Sequence, residues 1–180
     1  MDIEDYLCER LLDVLEEKPL HSIRVTSFVE YADIARSTFY AHFNSIYDVV
    51  QRIEDTFLEG FYADDATYEV LVGSNASEAI AQSNFIRKHA RAIALLCGPN
   101  GDPYFSERLE RRIAALCNRV WATSSPRVDQ SKRELLSAYI AGGTLAIIKL
   151  QARKEVQPGF DERGASASII AANRILLGLD

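Results

Sequence analysis

The sequence predicts an all-α protein with a small N-terminal unit of three helices and a larger helical remainder. Apolar residues recur at spacings of three and four along almost the whole chain, which is the period of amphipathic helices. Short breaks that contain Gly, Pro or Asn separate these stretches. No segment alternates apolar and polar residues as a half-buried strand does. Together these observations place the chain in the all-α class.

The composition is that of a folded protein in a reducing compartment. Of the 180 residues, 48% are apolar, which is enough for a core and too many for a disordered chain. The start is acidic and lacks a leader pattern, and no apolar run reaches the roughly 18 residues of a membrane span. The three cysteines form no C-x-x-C pair. We therefore expect a cytoplasmic protein with reduced thiols and without a metal or cofactor.

The N-terminal unit is predicted from one amphipathic helix and two shorter ones. The first helix carries an apolar stripe and ends at Lys18-Pro19. Two short helices over residues 25–31 and 36–43 follow, joined by a tight turn. Such a pair is a helix-turn-helix, and it needs the first helix to complete a core. The residues expected to face this core are Phe28, Val29, Ile34, Phe39 and Phe43.

The rest of the chain is predicted to hold five more helices. Asp102 followed by Pro103 is a helix-start signal, and so is the capping box that begins at Ser131. Residues 98–101, Gly-Pro-Asn-Gly, form a loop. The expected helices cover residues 46–62, about 76–96 with a bend near 87–89, 103–122, 132–154 and 162–177.

The second short helix carries polar side chains on the face that the core leaves open. An α-helix fits the major groove of B-DNA, so this face predicts contacts with DNA. Arg36 can donate a bidentate pair of hydrogen bonds to guanine or bind a phosphate, whereas Tyr40 and His42 are suited to phosphates. The side chains expected on this outer face are Arg36, Ser37, Thr38, Tyr40 and His42.

The segment from Ala32 to Phe43 resembles the signature of the TetR family of regulators. That family typically reads Ala-Gly-Val-Ser, two variable residues, Thr-Phe-Tyr, one variable residue and His-Phe, and this chain has Thr-Phe-Tyr-Ala-His-Phe over residues 38–43. The resemblance implies a homodimeric transcription regulator, a repressor whose binding to operator DNA responds to a small-molecule effector. It also implies a DNA-binding domain over residues 1–46 and a helical dimerisation and effector-binding domain over 47–180.

Three positions between Arg24 and Ala35 depart from the family pattern. Asp33 stands where the turn usually has Gly, and Asp tolerates a positive φ better than most residues. Ala35 replaces the usual Ser cap. Arg24 stands where a Thr usually caps the second helix and contacts the DNA backbone, a role that we assign to Thr26 or Ser27.

Other segments are similar to a branch of the family that includes regulators of dihydroxyacetone kinase operons. One is Ile46-Tyr47-Asp48, in which Ile46 replaces a Lys that often neutralises a phosphate. The others cover residues 85–89, 102–105 and 139–143. This looser likeness identifies no ligand.

The predicted helix over residues 132–154 is apolar nearly all round, so it must be buried on all sides. A chain of this size covers only part of it. The resemblance implies that this helix and the last one pair with their copies across a two-fold axis. The expected interface residues are Ala141, Gly142, Leu145, Ile148, Ile170 and Ile175.

The resemblance also implies an effector pocket among the C-terminal helices. We expect aromatic side chains to line it, although aromatics at helical spacing are more often core residues. The six expected are Phe57, Phe61, Phe85, Tyr104, Trp121 and Tyr139.

Two other classes of function compete with a regulator. An enzyme is disfavoured, because His21, His42 and His89 lie apart and the chain has no phosphate-binding loop and no G-x-S-x-G motif. A protein-interaction module, or an activator with weak or no operator binding of its own, stays open. The reason is charge: the first 50 residues hold four basic and ten acidic residues, a net charge of −6, whereas DNA binders are usually basic.

Overall fold

The computed structural model of the chain describes residues 2–62, 88–124 and 129–152, together with Ile175, and the regular secondary structure of these residues is all helical. This confirms the all-α class, with an N-terminal helix-turn-helix followed by further helices. None of the described helices is long and apolar enough to cross a membrane. The elements are α1 (Ile3–Glu17), a 3-10 turn (Leu20–Ser22), α2 (Val25–Tyr31), α3 (Arg36–His42), α4 (Ile46–Tyr62), α5 (Ala90–Leu96), α6 (Phe105–Ser124) and α7 (Gln130–Ala152).

Helices α1 to α3 enclose the small core that the apolar pattern predicts. Asp2 caps α1 by accepting a hydrogen bond from Ile3 N at 2.7 Å, and the helix ends before Pro19. Phe28 of α2 and Phe39 of α3 meet edge to face, with ring centroids 6.0 Å apart. The predicted inward set is confirmed: Phe28, Val29, Phe39 and Phe43 are buried, and Ile34 is partly buried against them.

Helix α4 joins the N-terminal unit to the rest of the chain. The Asp48 carboxylate caps its start by accepting hydrogen bonds from the backbone and side-chain amides of Asn44 and from the Ser45 hydroxyl, at 2.7–3.0 Å. These bonds, that from Ser45 first, lower the pKa of Asp48. Farther along α4, Phe57 is buried and meets Phe105 of α6, with ring centroids 6.2 Å apart. The helix therefore belongs to both cores.

Two polar attachments also tie α1 to the segment that contains α5. The Arg91 guanidinium contacts three carboxylates of α1, those of Glu9, Asp13 and Glu16, at 2.5–3.4 Å. In the loop after α5, Asn100 donates from Nδ2 to Leu15 O at 3.0 Å and accepts from Leu20 N at 2.8 Å. The N-terminal unit is thus held at a second place besides α4.

Helices α6 and α7 form the largest helix pair of the described chain, and their starts differ from the prediction. Asp102 accepts from Tyr104 N at 2.8 Å, but α6 begins only at Phe105, so Tyr104 lies in the preceding turn. The cap of α7 is Asp129, which accepts from Ser131 N and Lys132 N at 3.1 and 3.3 Å. The predicted capping box at Ser131 is therefore wrong, because the helix has already begun at Gln130.

Some predicted features lie outside the described residues. These are most of the helix expected over 76–96, the helix expected over 162–177 apart from Ile175, and with them Phe85 and Ile170. The side chain of Phe61 is also outside the described part. The domain division at residue 46 stays a prediction, since the buried residues of the two parts form one continuous cluster.

Candidate nucleic-acid interface and the α4–α6 cleft

Helix α3 is positioned by the turn before it and by two aromatic rings beneath it. Asp33 adopts φ 50°, the left-handed conformation for which Gly is usually selected. Ala35 begins the helix without a side-chain hydrogen bond, so packing rather than capping must hold it. Phe39 is completely buried and Phe43 nearly so. The short helix is thereby fixed with its other face toward solvent.

The open face of α3 presents the residues that sequence reasoning nominated. Arg36, Ser37, Tyr40 and His42 are exposed, and Thr38 is partly exposed. Thr26 of α2 is also exposed. The structure brings these six residues to the surface of one compact unit. Their contact with DNA stays a prediction.

Arg36 and Tyr40 form a local pair on this face. The Arg36 Nη2 atom lies 3.4 Å from the Tyr40 hydroxyl, and the guanidinium carbon lies 5.4 Å from the ring centroid. Both residues are exposed, so the pair costs little to rearrange when a stronger partner arrives. The contact directs the Arg36 guanidinium along α3, toward the residue one helical turn later. Among the described ion pairs, none involves Arg36.

His42 makes a contact within the chain that the sequence did not predict. Its Nδ1 atom lies 3.4 Å from Oε1 of Glu4 on α1. The other oxygen of Glu4 lies 3.4 Å from Nε of Arg52 on α4. His42 is therefore held at the junction of three helices as well as exposed, and any phosphate contact must use the rest of its ring.

The charge objection to DNA binding is weakened by where the acids lie. Glu9, Asp13 and Glu16 face Arg91 of α5, and Glu4 faces His42 and Arg52. Asp48 caps α4. With Asp2, which caps α1, six of the ten acids in the first 50 residues are thus occupied in ion pairs or caps. Sequence counting missed this, because Arg91 lies far along the chain from α1.

An open cleft of about 660 Å³ lies between α4 and α6. Its described lining contains none of the four described aromatic residues that were expected to form a pocket, Phe57, Tyr104, Trp121 and Tyr139. Phe57 and Trp121 are buried core residues, whereas Tyr104 and Tyr139 are 65% and 68% exposed. The described lining is Tyr47, Val50, Gln51, Glu54, Asp55, Leu58, Asp102, Arg108, Arg111, Arg112 and Ala115.

A buried ion cluster forms one wall of this cleft. Arg108 Nη2 donates to Oε2 of Glu54 and, at 2.7 Å, to Oδ2 of Asp102. Glu54 is 4% exposed, and its Oε1 finds no hydrogen-bond partner among the described residues. Burial raises the pKa of Glu54, while the hydrogen bond and charge of Arg108 oppose the shift. The cluster ties α4 to the start of α6.

Sequence reasoning missed this cluster, although a local signal was present. Glu54 stands between Val50 and Leu58 on the apolar side of α4, and Arg108 stands next to Leu109 in the stripe of α6. A charged residue on an apolar face needs a partner when buried. Two such residues on two helices therefore predict an ion pair.

Three of the residues predicted for the dimer interface are buried within the single chain. Ala141, Leu145 and Ile148 are buried within the chain, so they are already used in its own core. Gly142 is half-buried, and a Cβ there would lie 3.5 Å from Glu110 Oε1 of α6. Ile175 is 66% exposed. The described face of α7 that is open instead carries Leu135, Tyr139, Gly143, Ala146 and Leu150.

Comparisons with known proteins agree with the architecture. No family model and no curated protein matches the sequence. Among solved structures, the dihydroxyacetone kinase operon activator DhaS is similar over 98% of this chain and 96% of its own, with a TM-score of 0.65 and 15% identity. The TetR family repressor AlkX from Dietzia sp. strain DQ12-45-1b is similar over 97% of both chains, with a TM-score of 0.53 and 17% identity. At these identities the likeness establishes the fold.

Proposed function

We propose, for a chain with the fold of TetR-type regulators, that it is a homodimeric transcription regulator that binds operator DNA through α3. One observation carries the proposal. The five side chains from Arg36 to His42 that the sequence singled out lie on the open side of a helix whose other side is locked by Phe39. A short, rigid helix with such a face fits the major groove. Residues 1–46 would serve this role, in the cytoplasm.

Selection of bound sequences from a random DNA pool tests this proposal. Bound molecules should converge on a near-palindrome, because a two-fold dimer presents two copies of α3, and each half-site should be read by one copy. A pool that shows no enrichment at low salt would instead favour the protein-interaction module, for which the uncompensated acids of the N-terminal unit are the supporting observation.

The role of Arg36 is tested on the operator so found. Arg36→Ala should lower specific affinity by about 1–3 kcal/mol if its guanidinium makes a bidentate base contact. An equal loss on random duplexes would reassign it to a phosphate. Arg119→Ala is the matched control, because Arg119 is exposed on α6, away from α3.

We infer that the dimer forms through the open face of α7 rather than through the predicted residues. Leu135, Tyr139, Ala146 and Leu150 recur at spacings of four, seven and four, which is one stripe of a helix. Leu135 is 72% and Tyr139 68% exposed in the single chain. Large apolar side chains in a continuous exposed stripe mark an interaction surface. Gly143 lies beside this stripe, and a Cβ there would meet nothing within 4 Å, so a partner helix can approach.

Tyr139→Glu tests the dimer surface. The variant should be monomeric in analytical ultracentrifugation at micromolar concentration and should lose cooperative binding to the two half-sites. Arg119→Glu, which changes charge outside the stripe, should remain dimeric. A dimeric Tyr139→Glu variant would exclude this face.

The direction of regulation is a separate question. DhaS is named an activator and AlkX a repressor, so one fold serves both. We propose repression, modulated by a small molecule bound in the α4–α6 cleft. A reporter placed behind the selected operator, with and without the protein, distinguishes the two: repression predicts lower expression, and a rise would assign activation.

A further inference from the structure

The α4–α6 cleft combines apolar side chains, among them Val50 and Leu58, with charged groups of both signs. Glu54, Asp55 and Asp102 supply carboxylates, and Arg108, Arg111 and Arg112 supply guanidinium groups. A purely cationic molecule would meet three arginines there, and a purely anionic one would meet three carboxylates. A molecule that carries both charges finds complementary groups at each end.

The deep end of the cleft has more negative than positive charge. One guanidinium serves two carboxylates, since Arg108 Nη2 contacts both Glu54 and Asp102, so this trio carries a net negative charge. Glu54 is nearly inaccessible, and its Oε1 finds no donor among the described residues. A buried acceptor without a partner is costly, which makes it a site for an incoming N–H donor.

The shallow end holds a guanidinium that is weakly engaged. Arg111 is 69% exposed in its side chain, and it lies 3.8 Å from Glu107, which is 63% exposed. Exposed pairs of this kind contribute little. A carboxylate that binds Arg111 in a fork would therefore give up little and gain a stronger contact.

We propose that the α4–α6 cleft binds a small zwitterionic molecule of the amino-acid class, with its ammonium group toward Glu54 and Asp102 and its carboxylate on Arg111. The assignment rests on the proposed function, for which it names the class of effector. The cleft volume of about 660 Å³ lies within the usual range of small-molecule sites.

Binding in this manner must displace α4 relative to α6. In this structure Glu54 Oε1 is closed off from solvent, so an ammonium group reaches it only when the two helices separate at this point. The zwitterion therefore binds the separated arrangement better and shifts the equilibrium toward it. Because only the short loop of residues 43–45, to which Asp48 is hydrogen-bonded, joins α3 to α4, the separation also moves the DNA-reading helix.

Calorimetric titration of the full-length protein with ω-amino acids from glycine to 6-aminohexanoate tests the proposal without DNA. One chain length should bind, and the alkylamine and the carboxylic acid of the same length should each bind about 10- to 100-fold more weakly, the value of one charge-assisted contact. Equal binding by the amine or by the acid alone overturns the zwitterion assignment, and so does an absence of heat for the whole series.

Variants locate the site. Glu54→Gln should abolish the preference for the amino acid over its acid analogue, and it keeps an acceptor for Arg108. Arg111→Gln should abolish the preference over the amine, and the fold tolerates it because Arg111 is exposed. Glu59→Gln removes a charge from the exposed side of α4, outside the cleft, and should change neither preference. Unchanged preferences in both cleft variants would overturn the site.

The two proposals fail separately. If the amino acid binds in the calorimetric titration but the random pool yields no operator, the ligand assignment of the cleft stands and the regulator proposal is refuted. With an operator in hand, the matching amino acid should change operator affinity about 5- to 150-fold. An unchanged affinity at saturation would refute the coupling through α4.

Discussion

Loss of the Arg108 side chain should destabilise the chain through the carboxylate it leaves behind. In Arg108→Met the apolar stem is kept, but Glu54 becomes a buried carboxylate without a counter-charge. Removing one partner of a buried ion pair costs about 3–5 kcal/mol. Since the Arg108 side chain is 34% exposed, part of the pairing is screened by water, and we expect a loss of about 2–4 kcal/mol at pH 7.

The double variant Arg108→Met with Glu54→Gln separates this cause from lost packing. If the stranded charge is responsible, the second substitution should restore most of the loss, since a neutral amide is far cheaper to bury. Urea unfolding followed by fluorescence of Trp121, which is buried and the single tryptophan, measures both free energies of unfolding. Protein concentration is held constant because of the proposed dimer.

The pH dependence supplies a second check with a defined sign. The pKa of Glu54 in the folded chain is raised above the ordinary 4.5. Between these two pKa values the folded chain therefore binds more protons at this group than the unfolded chain does. The corresponding stability is complete below the ordinary pKa and is lost as pH rises through the raised one. The difference in free energy between wild type and Glu54→Gln should therefore favour wild type more at pH 4 than at pH 7. A penalty for Arg108→Met that neither Glu54→Gln nor acid relieves would refute the reasoning.

Three further predictions concern the DNA-binding unit and the start of α4. Tyr40→Phe should weaken operator binding without altering the sequence selected, because we assign its hydroxyl to the DNA backbone; a changed consensus contradicts this. Asp33→Val should lower the free energy of unfolding by about 1–2 kcal/mol, since a β-branched residue fits φ 50° poorly, whereas Asp33→Gly should stay within about 1 kcal/mol of wild type in the same urea titration. Asp48→Ala should cost about 0.5–2 kcal/mol through loss of the α4 cap; because the Asp48 pKa is lowered, the cost should be present above pH 3.8 and vanish as pH falls through the lowered value, as acid titration of both proteins would show.

The N-terminal unit was predictable because its signals are local. Helices α2 and α4 have the predicted bounds, and α1 ends at the predicted proline. The unit is short, its apolar residues lie on one side of each helix, and the turn is marked by Asp33. Periodicity therefore determined both the helices and the buried face.

The interface and the cleft were less predictable, for two physical reasons. Helix α7 is apolar on nearly every side, so its sequence pattern does not indicate which face is buried. Only the packing against α6 shows that Ala141 is buried and Tyr139 exposed. The cleft depends on groups far apart in sequence, Glu54, Asp102 and Arg108, whose proximity is a property of the tertiary fold. Aromatic content was a poor guide, because a ring such as Phe57 fills a core equally well.

The double attachment of the N-terminal unit limits how it can move. One attachment is covalent, through α4, and the other is the polar junction of Arg91 and Asn100 with α1. Because the N-terminal unit is held at these two separated places, the rigid-body motion that strains it least is a rotation about the line that joins them. Two such bodies in a dimer would change their separation along a single path, so adaptation to differently spaced half-sites is restricted. Salt screens the Arg91 contacts more than the neutral Asn100 bonds, and raised ionic strength should widen that range of spacings.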